Sequence, residues 1–351
     1  MPARIYLDHA ATTRLKPAAR AAMEEGFALW ANPSSPHTAG RRARAALEDA
    51  REQIKAALGW EGELIFTASA SEAAALALGR ANAGARLVSA VEHDCVLQAA
   101  PDAERLPVLG DGALDLEVLV EAVRHKRPLL AVQQVNSETG AVQDLAAIAA
   151  IVHEAGGLLL ADCAQGAGKL PLPAQADMVI LAAHKFGGPV GIGALLVRDY
   201  ALLAPTGGQE RGYRRGTENL PAALGMAAAL ATPSAPESQV TERFQQFGYT
   251  ASQSGGEWLS GRLRANSGHI AAVAMPGVSA EAQLMRFDMA GIAVSQGSAC
   301  SSGTMRRSHV LTAMGVPDGI AARTIRVSLG WDSTGADIDR FAEVWLDLAG
   351  R

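Results

Sequence analysis

The sequence predicts an α/β protein, with a mostly parallel sheet covered by helices on both faces and a smaller α+β domain behind it. Three observations carry that prediction. From about residue 60 to 200, short near-continuous apolar runs alternate with stretches of helical periodicity, the pattern of strands buried on both faces. Polar clusters follow these runs, at the carboxyl ends of the strands, where sheets of this kind gather their sites. After residue 232 the alternation breaks and a different, shorter set of elements follows.

In chain order, compact apolar blocks predict strands over residues 64–66, 86–90, 129–133, 158–161, 178–181 and 194–197. Helical patterns lie between them at 71–81, 116–126 and 145–155. Arg41, Arg42 and Arg44 read as a solvated helix face. Residues 232–268 carry the weakest pattern: Pro233 to Pro236 reads as a linker and 252–257 as a loop. An apolar run at 270–275, a helix at 280–289 and a strand at 292–294 come next. A Ser/Gly-rich loop, a helix at 310–314, a strand at 324–329 and a closing helix at 338–348 finish the chain. No internal repeat is visible.

The 351 residues suffice for a large domain and a smaller one, with 49% hydrophobic and 19% charged residues as in an ordinary globular protein. A net charge of −5 argues against a nucleic-acid-binding surface. No apolar stretch reaches membrane-span length. Cys95, Cys163 and Cys300 are too few and too scattered for a disulfide framework or a zinc signature, and no metal site is expected. The N-terminus runs straight into Ile5-Tyr6-Leu7-Asp8 without a signal-peptide pattern, so a reducing cytoplasm is expected.

Lys185 follows the apolar run Met178–Ala183, and Asp162 ends the run Leu158–Ala161. A charge at the end of a buried strand is expensive unless it is used or removed, and desolvation lowers the amine pKa as a Schiff-base lysine requires. The pair suits pyridoxal phosphate, the lysine holding the aldehyde and the aspartate the pyridinium nitrogen. The plainer reading is a buried ion pair, or a lysine whose head reaches solvent. Thr67-Ala-Ser-Ala-Ser71-Glu72 lies between a strand and a helix and suits a phosphate at the helix N-terminus, or an ordinary N-cap. Cys300, among small and polar neighbours, has the setting of an accessible nucleophilic thiolate, whereas Cys95 and Cys163 read as inert. Arg326 sits inside a strand-like run, where a guanidinium takes a carboxylate, from a ligand or from the protein. The Gly- and Arg-rich stretch from Gly207 to Asn219 suits an anion contact or a flexible loop.

Together these motifs resemble the cysteine desulfurases of the iron–sulfur assembly type, in the class V aminotransferase group of fold-type I pyridoxal-phosphate enzymes. The resemblance spans Tyr6–Thr13, Asn32–Gly40, Glu92-His93, Val135–Gly140, Asp162-x-x-Gln165, His184-Lys185, Glu210–Thr217, Gly297–Cys300 and Ile325–Gly330. It implies an N-terminal arm over residues 1–15 on the small-domain side, a large cofactor-binding domain over 16–232 and a small domain over 233–351 carrying the cysteine loop. It implies that Lys185 holds the cofactor and moves the substrate Cα proton. Asp162 then faces the ring nitrogen, Gln165 lies near the ring hydroxyl, and His93 stacks on the ring and takes part in proton transfer. Asn136 and Ser137 join the ring contacts, and Ala70, Ser71 and His184 bind the phosphate. Thr217 reaches the phosphate of the second subunit of a homodimer. Arg326 and Asn32 bind L-cysteine, and Cys300 takes its sulfur as a persulfide for transfer to an acceptor or scaffold protein, with L-alanine released as the product.

Some positions depart from the family pattern. Ser137 stands where a second asparagine contacts the ring, Ala182 replaces a phosphate-binding serine, and Ala74-Ala75, Trp331 and Gln296 replace polar residues. One missing charge-assisted phosphate bond costs on the order of 1.5–3 kcal/mol. Two other readings stay open at this stage. One is a different enzyme on this fold, such as a selenocysteine or cysteine-sulfinate lyase or an aminotransferase; the other is a non-catalytic sulfur carrier.

Overall fold

The structure, a computed structural model, describes residues 4–124, 126–297 and 307–350. Its strands are β1 (Ile5–Tyr6), β2 (Glu63–Thr67), β3 (Arg86–Ser89), β4 (Glu104–Leu106), β5 (Leu129–Gln133), β6 (Leu158–Asp162), β7 (Met178–Ala182), β8 (Gly193–Val197), β9 (Glu257–Trp258), β10 (Ile270–Ala274), β11 (Ile292–Ala293) and β12 (Thr324–Ser328). Its helices are α1 (Pro17–Ala28), α2 (Thr38–Leu58), α3 (Ala70–Arg80), α4 (Asp94–Ala99), α5 (Leu116–Val123), α6 (Leu145–Glu154), α7 (Leu220–Leu230), α8 (Ser238–Gln253), α9 (Ala280–Met289), α10 (His309–Ala313), α11 (Asp318–Ala321) and α12 (Gly335–Leu348).

The main sheet has the order β2-β8-β7-β6-β5-β3-β4. Its pairs are parallel except at β8, which runs antiparallel to both β2 and β7. Successive residues of one strand enter opposite cores. Val179 and Leu181 pack with residues of α2, α6 and α7, while Met178 and Ile180 pack with α3 and Val96. Both faces are apolar, which is why these strands read as unbroken hydrophobic runs. Ala73, Ala74 and Ala77 are fully buried, so α3 lies close against the sheet. Ala74, one of the departures from the family pattern, is therefore a packing residue.

A second core fills the space between the antiparallel sheet β12-β10-β9 and α8, α9 and α12. Phe244, Phe247, Phe287, Phe341 and Trp345 meet there with Leu7 from the N-terminal segment: Phe247 meets Phe341 and Trp345 edge to face, while Phe244–Phe247 and Phe287–Phe341 are stacked. β1 pairs in parallel with β11, so the chain's start is built into this half.

α8 and α5 differ from the sequence expectation. Residues 238–253 form α8, with Val240, Phe244, Phe247 and Ala251 on its buried stripe. Its start has no side-chain cap, since Glu237 makes no capping bond, and nothing in the local sequence announces it. The helix expected to reach residue 126 stops at Val123, where Arg124 leaves helical geometry. The long helix α2 carries Arg41, Arg42 and Arg44 on its solvated face and ends on Gly59, whose φ of 64° fits a left-handed cap.

One buried ion pair pins the loop beyond β8. Arg51 of α2 donates to both oxygens of Glu210, at 2.8 and 3.0 Å, and Phe66 N donates to the same carboxylate at 2.8 Å. Glu210 and Arg211 sit at φ 48° and 54°, a costly conformation for side-chain-bearing residues that the pair holds in place. Replacing Arg51 with Met strands the Glu210 carboxylate and should lower stability by about 3–5 kcal/mol. Urea unfolding measures it, and an unchanged midpoint would refute the assignment.

Candidate active site

The chain leaves β7 through a single tight turn, Ala183–Lys185, that delivers the Lys185 side chain to the strand ends. Gly188 permits this turn, since a Cβ there would lie 2.9 Å from that of Ala183. Lys185 Nζ donates to the carbonyls of Ala10 at 2.6 Å and Ala11 at 2.9 Å. Burial, and then the Arg326 charge, lower its pKa to about 8, with Asp162 and Asp8 opposing the shift. The amine is held by neutral oxygens, so its proton is loosely kept.

Beneath it lies a cavity of about 240 Å³ lined by Ala70, Ser71, His93, Ser137, Asp162, Gln165, Ala182 and His184. Ala70 and Ser71 open α3, whose Ser69 cap accepts the Glu72 N–H at 3.2 Å. The N–H groups of a first helical turn lack intrahelical partners and favour an anion. Gly193 lets this helix start approach β8, because a Cβ there would lie 2.9 Å from the carbonyl carbon of Ser69 and 3.2 Å from Ala70 N.

Asp162 is buried at the end of β6 beside Gln133 of β5. Burial raises its pKa, against the Ala164 N–H bond at 2.9 Å and the charges of His93 and Lys185. His93 caps α4, its Nδ1 accepting the Cys95 N–H at 3.2 Å. That bond assigns the ring proton to Nε2, and desolvation lowers the pKa further from a charged form. His184 Nδ1 lies 3.1 Å from Thr12 Oγ1, and burial lowers its pKa to about 4. Gln165 Nε2 donates to Ala10 O at 2.8 Å, while its buried Oε1 has no partner among the described residues.

A second cavity of about 620 Å³ opens outward, sharing His93, Ser137 and Lys185 with the inner one. Glu138, His309, Arg105, Arg307 and Arg326 stand around it. Arg326, on β12, donates to Asp8 Oδ1 at 2.7 Å and to Ser137 O at 3.0 Å, and its buried Nε has no partner among the described residues. Glu138 accepts from Ser308 Oγ at 2.6 Å, and burial raises its pKa.

Not every expected residue converges here. Cys300 lies outside the described residues; Gly297 and Arg307, which flank that stretch, both line the outer cavity. Asn136 lines neither cavity: its Oδ1 accepts from Glu138 N, Thr139 N and Thr139 Oγ1, and its Nδ2 donates to Val91 O. It builds the turn that presents Ser137. Asn32 is exposed and accepts the Ser34 N–H at 2.9 Å. Thr217 is exposed on the loop before α7, away from both cavities of its own chain. Cys95 lines the inner cavity, but burial pushes its thiol up to about 12, and Cys163 is raised as well. Trp331 donates to Arg14 O at 3.1 Å. Sequence reasoning missed the Ala10 and Ala11 carbonyls, Glu138, and Asp8 as the partner of Arg326. Only the strand pattern around Arg326 hinted at a protein carboxylate.

Among the described residues no cluster of metal-binding side chains is present, and no helix is long and apolar enough to cross a membrane. The class-V aminotransferase family matches residues 5–341. A cysteine desulfurase of Gluconacetobacter diazotrophicus is 37% identical over 97% of this chain and 92% of its own length. One from Cereibacter sphaeroides is 38% identical over 97% and 94%. Among solved structures, a NifS-like protein from Rickettsia africae shares the fold with a TM-score of 0.86 at 29% identity, over 99% of this chain and all of its own.

With a pKa of about 8, roughly 10% of the Lys185 amine is neutral at pH 7, against well under 0.1% for an ordinary lysine. Competitive acetylation of the cofactor-free protein, read by mass spectrometry, should give a midpoint for Lys185 near pH 8. A midpoint near 10.4 would contradict the burial argument.

Proposed function

The chain belongs to the class-V aminotransferase family, and we propose that it works there as a pyridoxal-phosphate-dependent cysteine desulfurase. The cysteine desulfurases of Gluconacetobacter diazotrophicus and Cereibacter sphaeroides, matched over nearly their whole length, support the reaction class. The observation that carries the reading within this chain is the Lys185 amine, placed where the two cavities meet and poorly able to hold a proton. The residues fit the cofactor. Asp162 is a desolvated carboxylate that gains from a cationic ring N–H, and Gln165 Oε1 is an acceptor awaiting a hydroxyl. The start of α3 suits the phosphate through Ala70 and Ser71, with a neutral His184 beside them. Ala182 removes one hydroxyl from that cradle.

When bound, pyridoxal phosphate supplies the sink for the electron pair left as the substrate Cα proton departs. Lys185 takes that proton and returns it, a role matched to an amine with a pKa of about 8. Arg326 holds the carboxylate of L-cysteine, its plane fixed by Asp8 and the Ser137 carbonyl. His93 presents Nε2–H at the cofactor position, since Nδ1 is occupied by Cys95 N–H. The Cys300 thiolate attacks the substrate sulfur; the C–S bond breaks, a persulfide forms on Cys300, and the carbon product leaves as L-alanine after reprotonation. Asn136 supports this site through the turn carrying Ser137, and Asn32 joins substrate binding only if its exposed amide turns inward.

In this reading the cleft lies between a large domain (16–232) and a small one (233–351), with the arm of residues 1–15 supplying Asp8 and the Ala10 and Ala11 carbonyls. A homodimer accounts for Thr217, whose exposed hydroxyl serves the phosphate of the other subunit. The persulfide sulfur passes to an acceptor protein in the cytoplasm. No finding favours the lyase, aminotransferase or sulfur-carrier readings.

Protein loaded with pyridoxal phosphate should absorb in the visible, and borohydride should fix the label on Lys185; a label elsewhere would end this reading. Cys300→Ala should abolish alanine formation from L-cysteine while keeping that absorbance. Full activity in this variant would remove the nucleophile assignment. Arg326→Met should raise the KM for L-cysteine by about 10- to 150-fold, the loss of one charge-assisted pair, and an unchanged KM would place the carboxylate elsewhere.

A further inference from the structure

Between β6 and β7 lies a lysine that the scheme above leaves unused. Lys169 Nζ donates to the main-chain oxygen of Lys185 at 2.9 Å and reaches that of Gln165 at 3.4 Å. It thus ties the turn bearing Gln165 to the turn bearing the reactive amine. Both oxygens have other donors: Thr13 Oγ1 reaches Lys185 O at 2.9 Å, and His269 Nε2 lies 3.2 Å from Gln165 O.

The surroundings make this an expensive tie. Among the described residues Lys169 forms no ion pair, and the groups that face it are cations or imidazoles. Lys185 lies on the turn after β7, Lys16 precedes α1, and the rings of His184, His9 and His269 come from the β7 turn, the arm and the approach to β10. Lys16 has its own partners, the carbonyls of Ala229 and Thr232 and the Ser234 hydroxyl. A neutral side chain would avoid the desolvation of an unpaired ammonium.

We propose that Lys169 is a positioning residue for Lys185: its ammonium fastens the two cofactor-side turns together and sets the charge that the Lys185 amine meets. Burial, then the charges of Lys185 and Lys16, lower its own pKa to about 7. Lys169 gives up its proton before Lys185 does, so its charge bears on the Lys185 amine chiefly below about pH 7. The tie is strongest below neutrality, where Lys169 keeps its proton. This inference rests on the role given to Lys185, but its test does not require the cofactor.

The test is the acetylation midpoint of Lys185 in cofactor-free protein, compared among the parent, Lys169→Met and Lys169→Arg. Lys169→Met removes the tie, and because Lys169 is already mostly neutral where Lys185 titrates, its Lys185 midpoint should stay near the parental value. Lys169→Arg keeps the donors and adds a charge that persists at every pH used, so its Lys185 midpoint should fall below the parental value. A parental or raised midpoint in Lys169→Arg would overturn the proposal, whatever that variant's stability. If Lys169→Arg does not fold, a parental Lys169 midpoint at or above that of Lys185 would overturn it equally. Failure of borohydride to fix cofactor on Lys185 strikes the desulfurase reading alone and leaves these midpoints unaffected.

Discussion

The site depends on partly burying one amine while giving it only neutral oxygens. Lys185 Nζ rests on the carbonyls of Ala10 and Ala11 rather than on a carboxylate. An adjacent Asp or Glu within bonding distance would have steadied the ammonium and raised its pKa. The nearest acidic groups, Asp162 and Asp8, act on it at longer range and do not overcome burial. Much of the local architecture follows from that need. The arm bends back so that its carbonyls reach the strand ends, Gln165 Nε2 grips the same Ala10 oxygen, and the Thr13 hydroxyl ties the Lys185 main chain to the arm.

Electrostatic roles separate cleanly around this amine. The imidazoles of His184 and His93 have lowered pKa values, so they act as neutral donors and acceptors. Asp162 and Glu138 are pulled the other way by burial, and each is answered differently. Asp162 faces the inner cavity, where a cationic ring would settle it, whereas Glu138 already has the Ser308 hydroxyl. The two cavities therefore differ in kind. The inner one is lined by small residues and a few directed polar groups, and the outer one by long charged side chains.

How much of this was legible in the sequence follows from what each feature needs. The central strands were plain because both their faces are buried and no polar residue interrupts them. Lys185 and Asp162 were plain for the converse reason, as charges standing where an apolar run ends. α8 was hidden because its polar faces outnumber its four core positions and no capping residue marks its start. The partnership of Asp8 with Arg326 joins residues 318 apart in sequence, and that of Lys169 with Lys185 is made to a main-chain oxygen. No local pattern encodes either. Asn136 carried a recognisable motif, yet its amide serves the turn, which shows that a motif fixes a residue's neighbourhood more surely than its contacts. Ala182 and Ser137 were visible as substitutions, and the structure places both on the wall of the inner cavity.

The bond between Asp8 and Arg326 has a further consequence for what the cleft attracts. A guanidinium that already has a counter-ion projects little net field, so stray inorganic anions gain little by lodging against it. In the proposed reading, a substrate carboxylate at Arg326 would share the arginine with Asp8, and a zwitterion would bring a cation to offset the Asp8 charge where a simple carboxylic acid would not. Selectivity for amino acids would then begin in the arm, before any chemistry at the lysine.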